Sequence, residues 1–364
     1  MTIVRERAPG RSPCVRDNRG SIATCSCYAS RLMKPRDILV ATHGHCFDGL
    51  SSAVLFTRLA RALAGRTGGA PLSFRYKSCG YGPGMQQIPE AWLDGEENVI
   101  LDFRYTPSAK LGWYFDHHIT GFADAAERDA ALKAAKPPEH GARPQVYYDP
   151  TYGSCAKLVA DVAETRFGVD MSSLAELVAW ADVIDTARFA SAEAATDARE
   201  PVLQLAAVIE HHGDGPFLNT VAPRLLERSL VDVAKGNDIQ SLWAPIRAAR
   251  ETFHRRVERA AEVRGPVVLV DLTDAPLDVA AKFVTYALYP QCTYSVMLTR
   301  NKQHFKISVG YNPWSGKPRT HDIAAICKRE GGGGHPAVGA CSFPLSMPDR
   351  AREVARSIAT ELGG

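Results

Sequence analysis

Short, β-branched apolar runs that each stop at an acid or a histidine constrain this chain most. Ile38-Leu39-Val40-Ala41 ends in Thr42-His43-Gly44-His45-Cys46-Phe47-Asp48-Gly49, and helical periodicity follows through Leu50, Ala53, Val54 and Leu59. A run of that length reads as a buried strand, so the segment is strand, polar loop, helix. Ser73-Phe74-Arg75-Tyr76 is the next predicted strand. Asn98 to Leu101 is another, with Asp102 at its end, and Gly112 to Phe115 runs into Asp116-His117-His118. Strands buried on both faces belong to a parallel sheet, whose carboxyl ends share one edge and are where open α/β sheets place their sites. The fold class is therefore α/β, and the acids and histidines are expected to converge.

A chain of 364 residues is long for one core, so two domains are expected. A net charge of +3 is too mild for a protein that coats nucleic acid, which leaves room only for a local basic patch. The nine cysteines show no zinc-type pairing with histidine. Free thiols in a reducing, cytoplasmic compartment are the expectation. No apolar run approaches the ~20 residues that span a bilayer. Residues 1–36 carry many arginines and few periodic apolar positions, and read as a disordered basic leader.

Residues 37–238 form the first predicted domain. Within it, 123–150 read as an insertion or surface loop, Ser154 as the N-cap of a helix over 156–166, and 174–184 as a further helix. His211-His212-Gly213 reads as a helix end with a structural role. Residues 239–265 are a linker built on one amphipathic helix. Residues 266–364 make a smaller α/β domain, with strands near 267–271, 293–298, 305–309 and 341–343 and helices over 278–288, 322–328 and from 349.

The chemistry collects at the strand ends. His43 and Asp48 follow one strand, Asp102 a second, and Asp116, His117 and His118 a third; Asp182 and Asp185 end a helix farther on. Taken singly, each acid reads as a helix cap or half of an ion pair. Taken together, they are a mixed His and carboxylate ligand set that suits Mn²⁺ and, less well, Mg²⁺. A pair of such ions about 3.5–4 Å apart is a common device for hydrolysing phosphate esters.

From Asp37 onward the chain resembles the DHH phosphoesterases that carry a C-terminal DHHA1 domain. The resemblance rests on Asp116-His117-His118 after a strand and on Gly332-Gly333-Gly334-His335-Pro336-x-x-Gly339 near the end. It implies a parallel-sheet DHH domain followed by a smaller α/β DHHA1 domain. It also implies Mn²⁺-dependent hydrolysis by metal-activated water. By the same resemblance His43, Asp48, Asp102 and His117 are metal ligands, with Asp102 shared between two ions. Asp116 would orient the triplet, and His118 would meet the substrate phosphate or a ligand carboxylate. The last ligand is Asp182 or Asp185, with Asp182 preferred. Many members carry Asp-x-Asp in the first loop; here His45 and Cys46 precede Asp48, so the first metal site is completed by His45, weak, or lost.

The second domain is expected to hold substrate. A glycine run followed by histidine lets backbone N–H groups approach an anion, with His335 as a donor beside Gly332, Gly333 and Gly334. Arg300 and Lys306, near strand ends, are expected to face phosphates. Trp314 offers a stacking surface for a base, or packing. The leading substrate is a short oligonucleotide or dinucleotide. Polyphosphate or another small phosphate compound is the alternative within the enzyme class, and a catalytically weak nucleotide sensor the alternative outside it. No membrane partner is expected, and a homodimer is compatible with this reading.

Overall fold

The structure, a computed structural model, describes residues 34–80, 87–134, 144–277, 281 and 283–363. Most of the basic leader, the tip of the Gly80–Gly84 loop and the start of the predicted 278–288 helix lie outside the described residues.

Five strands form the first sheet: β1 (Arg36–His43), β2 (Leu72–Cys79), β3 (Glu97–Leu101), β4 (Leu111–Asp116) and β5 (Gln145–Tyr148). All pairings are parallel, in the order β2-β1-β3-β4-β5. Period-two alternation sends Ile38, Val40, Val99, Leu101 and Phe115 to one core, and Ala41, Ile100, Leu111 and Tyr114 to another on the opposite face. The first core is closed by α1 (Phe47–Thr67), α3 (Cys155–Phe167), α4 (Ala175–Thr186), α6 (Pro201–His212), α7 (Gly215–Glu227) and α8 (Leu230–Ala234). The other face is covered by irregular chain carrying Ile88, Leu93, Phe103 and Phe122, and by Ala131 of α2 (Ala125–Ala134).

Helix α2 and β5 correct the expected insertion. β5 is a four-residue, half-buried edge strand in which Tyr147 stacks on Phe115 at 4.8 Å. So short a strand beside an Ala- and Lys-rich stretch leaves no readable periodicity.

The second sheet has six strands: β6 (Ala261–Arg264), β7 (Val267–Leu272), β8 (Tyr294–Arg300), β9 (His304–Tyr311), β10 (Gly333–His335) and β11 (Val338–Pro344). Their order is β10-β11-β9-β8-β7-β6, and only β7 and β8 pair in parallel. Helices α11 (Ile323–Arg329) and α12 (Pro348–Gly363) pack on the face that carries Val267, Leu269, Val296 and Ile307. The other face, with Val268, Val270 and Leu272, meets α5 (Ala192–Thr196), α10 (Val284–Leu288) and the end of α9 (Asn237–Ala260).

Helix α9 is a shared strut. Its first half buries Ile239, Trp243 and Ile246 in the core of the first sheet; its second half buries Phe253 and Val257 against the second. The helix stops at Ala260, and residues 261–264, expected as its continuation, are strand β6 paired with β7. A further tie crosses the two units: the Trp314 indole donates to the Phe189 carbonyl at 2.8 Å and packs edge-on to Phe283. Trp314 therefore packs between the units. Among the described residues, no helix is long and apolar enough to cross a membrane.

Phe253 is 1% exposed. Truncating a buried aromatic costs about 3–5 kcal/mol. Phe253→Ala is therefore expected to lower the unfolding free energy by that amount in urea titrations, and a loss below about 1 kcal/mol would show that α9 does not hold the two sheets together.

Candidate metal centre

Strand register brings the predicted residues side by side. Thr42 of β1 pairs with Leu101 of β3, and Leu101 pairs with Phe115 of β4. The next residue of each strand, His43, Asp102 and Asp116, therefore emerges at one level of the sheet edge. The chain runs from β1 to β2 on one side and returns to place β3 on the other. That reversal is a topological switch point, where the loops diverge and leave a crevice.

Each side chain is fixed by a local device. Asp102 has a left-handed backbone (φ 54°), a conformation that Asp tolerates better than most residues, and its N–H donates to the Phe115 carbonyl at 2.9 Å. Asp48 lies in the first turn of α1, and its carboxylate accepts the N–H groups of Cys155 and Ala156 at 2.7 and 2.8 Å. Those donors are the first turn of α3, where the helix dipole favours an anion. Gly49 is needed because a Cβ there would stand 2.1 Å from the His43 carbonyl oxygen.

Asp116 is fully buried and spends its oxygens on the triplet itself. It accepts the backbone N–H groups of His117 and His118, Nδ1–H of His118 at 2.8 Å, and the hydroxyl of Tyr114 at 2.9 Å. It orients the His118 imidazole and holds the backbone of His117, with both oxygens engaged.

His117 Nδ1 lies 3.1 Å from the Tyr152 carbonyl oxygen. A carbonyl only accepts, so Nδ1 carries the proton and Nε2 is left as the metal-binding nitrogen. Nε2 lies 3.6 Å from oxygens of Asp48, Asp102 and Asp185 alike. Nε2 and both Asp102 carboxylate oxygens are buried with no hydrogen-bond partner. Buried polar atoms that converge without bonding one another are costly unless something binds between them. Bonds of about 2.1 Å to one shared cation would hold such donors about 3–3.5 Å apart. The residues fit a divalent cation held by Asp48, Asp102, His117 and Asp185. Two further groups, His43 with Cys46 and Asp102, and Asp102 with His117 and His118, each have donor atoms within 4.8 Å of one another and share Asp102.

The electrostatics agree. Burial, then the charges of Asp102 and Asp185, push the Asp48 carboxyl well above its usual value. Burial and Asp102 likewise raise Asp185. Burial works against protonating His117, but Asp102, Asp48 and Asp185 outweigh it and hold the imidazole at about 9. Burial would raise Asp102 too, yet His117 and His43 hold it at about 2. Without a cation the carboxylates draw a proton onto His117 instead.

The structure brings together His43, Asp48, Asp102, His117 and Asp185, with Asp116 and His118 beside them. It does not bring in Asp182, the acid preferred from sequence; that carboxylate faces Arg188 at 3.4 Å. Nor does His45 complete the first loop. Its backbone is left-handed (φ 55°), its side chain is exposed, and Nδ1 meets the Glu210 carbonyl, so Cys46 takes the inward place. The glycine run also differs from the expected loop. Gly333, Gly334 and His335 form the exposed edge strand β10, paired with β11, and a Cβ on Gly332 would meet the Ala340 carbonyl at 2.0 Å. Arg300 of β8 pairs with Phe305, and Lys306 of β9 with Thr299. His335, the glycines before it, Arg300 and Lys306 do not line the cavity of about 520 Å³ beside Cys46 and Asp185. That cavity instead carries Arg247, Arg250 and His254 of α9, which sequence patterning leaves as the polar face of an amphipathic helix.

No protein-family model and no curated protein matches the chain. Solved structures do. The chain is similar to a pGpG-specific phosphodiesterase, PggH from Vibrio cholerae, at 19% identity and TM-score 0.63, over 90% of this chain and 100% of that one. It is similar to the DHH domain of a protein described as a member of a family of ribosomal proteins, at 14% identity and TM-score 0.59, over 90% and 88% of the two chains. An exopolyphosphatase-related protein from Bacteroides fragilis matches at 16% identity and TM-score 0.51, over 90% and 92%. The chain has the DHH-type fold, a parallel-sheet domain followed by a smaller α/β unit.

A cation entering this cluster must displace protons. Affinity for Mn²⁺ is expected to rise with pH between about 6 and 9, with proton release visible by calorimetry in buffers of different ionisation enthalpy. A pH-independent affinity would contradict the assignment. Asp185→Asn should weaken the ion by at least about 10-fold, while Asp182→Asn should leave it near wild type.

Proposed function

We propose that this chain is a metal-dependent phosphoesterase that cleaves phosphodiester or phosphoanhydride bonds in short oligonucleotides or dinucleotides. The observation that carries the reading is the His117 nitrogen facing three carboxylates, two of them buried, at the switch point of the sheet. The likeness in fold to a pGpG-specific phosphodiesterase and an exopolyphosphatase-related protein supports it. The donor set favours Mn²⁺, with Mg²⁺ as the alternative, because imidazole sits among the carboxylates. Such an ion, when bound, polarises a phosphoryl oxygen and makes water a competent nucleophile at neutral pH.

The protein supplies placement. Asp48, Asp102, His117 and Asp185 would hold one ion, and His43, Cys46 and Asp102 a second. The Tyr152 carbonyl fixes the tautomer of His117, and Asp116 that of His118. His118 gives Nδ1–H to Asp116 and stands partly exposed at the mouth of the cluster, placed to meet a substrate oxygen with its other nitrogen. The first unit, residues 37–238, carries this chemistry, and residues 266–364 close the far side.

A second reading is favoured by one feature. A thiol at Cys46 replaces an acid in the first loop, which suits a nucleotide sensor with weak hydrolysis. One assay separates the two. Purified protein with Mn²⁺ is offered a dinucleotide, a short RNA, 3′-phosphoadenosine phosphate and polyphosphate. The hydrolase reading expects turnover of the dinucleotide, while tight binding without turnover of any of them would support the sensor. Asp102→Ala should lower turnover by more than about 100-fold, beyond the 10–100-fold that loss of a merely supporting residue costs. Near-normal activity in that variant would overturn the shared-ligand assignment.

A further inference from the structure

The cavity beside the cluster has two chemically different ends. One is formed by Cys46 and Asp185 at the cluster; the other is the α9 face that carries Arg247, Arg250 and His254. These α9 positions are three, four and seven residues apart, so they form one stripe on the helix. Aromatic side chains of Phe189, Trp243 and Phe283 also line the cavity. A volume of about 520 Å³ is within the range of small-ligand sites.

Arg250 is the least satisfied cation of the stripe. Its side chain is 27% exposed and its guanidinium lies 5.7 Å from the centre of the Trp243 ring. Among the described residues its one ion-pair contact is a long one, Nη2 to Glu210 at 3.5 Å, and Nε is buried without a hydrogen-bond partner. Arg247 reaches Glu251 only at 3.9 Å. Of the other acids on the cavity wall, Asp197 is held by Arg199 at 2.9 Å and Asp185 belongs to the cluster. A guanidinium carries five donors in a fork that matches phosphate. Here most of those donors have no close acceptor.

We infer that Arg250, with Arg247, binds a terminal phosphate of the substrate while the scissile phosphate lies at the cluster. The inference rests on the hydrolytic reading above and narrows its substrate class. The ligand is a short nucleotide, of dinucleotide size, with a phosphomonoester at one end. A base between the two phosphates meets the aromatic walls, on which stacking is sequence-tolerant. Neither a long polymer nor an unphosphorylated dinucleotide uses both ends of such a site.

The test is steady-state kinetics with Mn²⁺ on three dinucleotides: 5′-phosphorylated, 3′-phosphorylated and unphosphorylated. Wild type should prefer one phosphorylated form, which also identifies the end that is read. Arg250→Ala should raise KM for that form about 10–100-fold, the value of a charged hydrogen bond, with kcat almost unchanged. KM for the unphosphorylated form should not move, so the preference disappears. Arg250→Lys should recover part of it, and thermal melting should show both variants folded. An unchanged preference in Arg250→Ala, or no preference in wild type, overturns the inference. If wild type turns over none of the three, the hydrolytic reading fails. Equilibrium binding of the phosphorylated dinucleotides then decides the inference separately: at least about 10-fold weaker binding to Arg250→Ala supports it, and equal affinity overturns it.

Discussion

Mutual repulsion among buried carboxylates is the constraint around which this molecule is arranged. The Asp48 and Asp185 donor atoms lie within 4.8 Å of each other, with Asp102 facing the same His117 nitrogen. Two unit negative charges at that distance cost on the order of 3–4 kcal/mol at an effective dielectric of 20. That is a large share of the 5–15 kcal/mol by which a domain is stable. The fold offsets part of it with the N-terminal turn of α3, which donates two N–H groups to Asp48. The positive charge drawn onto His117 offsets more, and a divalent cation would do so more strongly.

The rest of the first unit keeps those groups in register. Three strands end at one level because Thr42, Leu101 and Phe115 are paired. Asp116 ties the backbone of the triplet to its own side chain and to Tyr114, so the imidazoles do not depend on the surface loop beyond them. Helix α4 delivers Asp185 from the opposite wall. Helix α9 then joins this unit to the second sheet and lines the cavity that opens onto the cluster, so one element serves both packing and access.

Much of this was legible in the sequence, and for physical reasons. Buried parallel strands are written as continuous apolar runs, so β1, β3 and β4 and the acids at their ends stood out. The choice between Asp182 and Asp185 did not. They lie three residues apart on one helix, and only the direction in which α4 crosses the sheet decides which carboxylate faces His117. The first loop hid its arrangement in the same way, because a left-handed residue at His45 turns that ring outward and Cys46 inward. The α9 arginines read as a solvated face, because sequence cannot show that a cavity lies beneath them. The glycine run was recognisable as a motif, but its hairpin depends on pairing with β11, a non-local contact.

The most direct test is the position of the ion itself. Crystals grown with Mn²⁺ and measured at the manganese absorption edge would show anomalous density wherever it binds. The account predicts a peak among Asp48, Asp102, Asp185 and Nε2 of His117, at the ~2.0–2.3 Å distances of nitrogen and oxygen ligands. No peak there at saturating Mn²⁺, or a peak held by Asp182 instead, would contradict it.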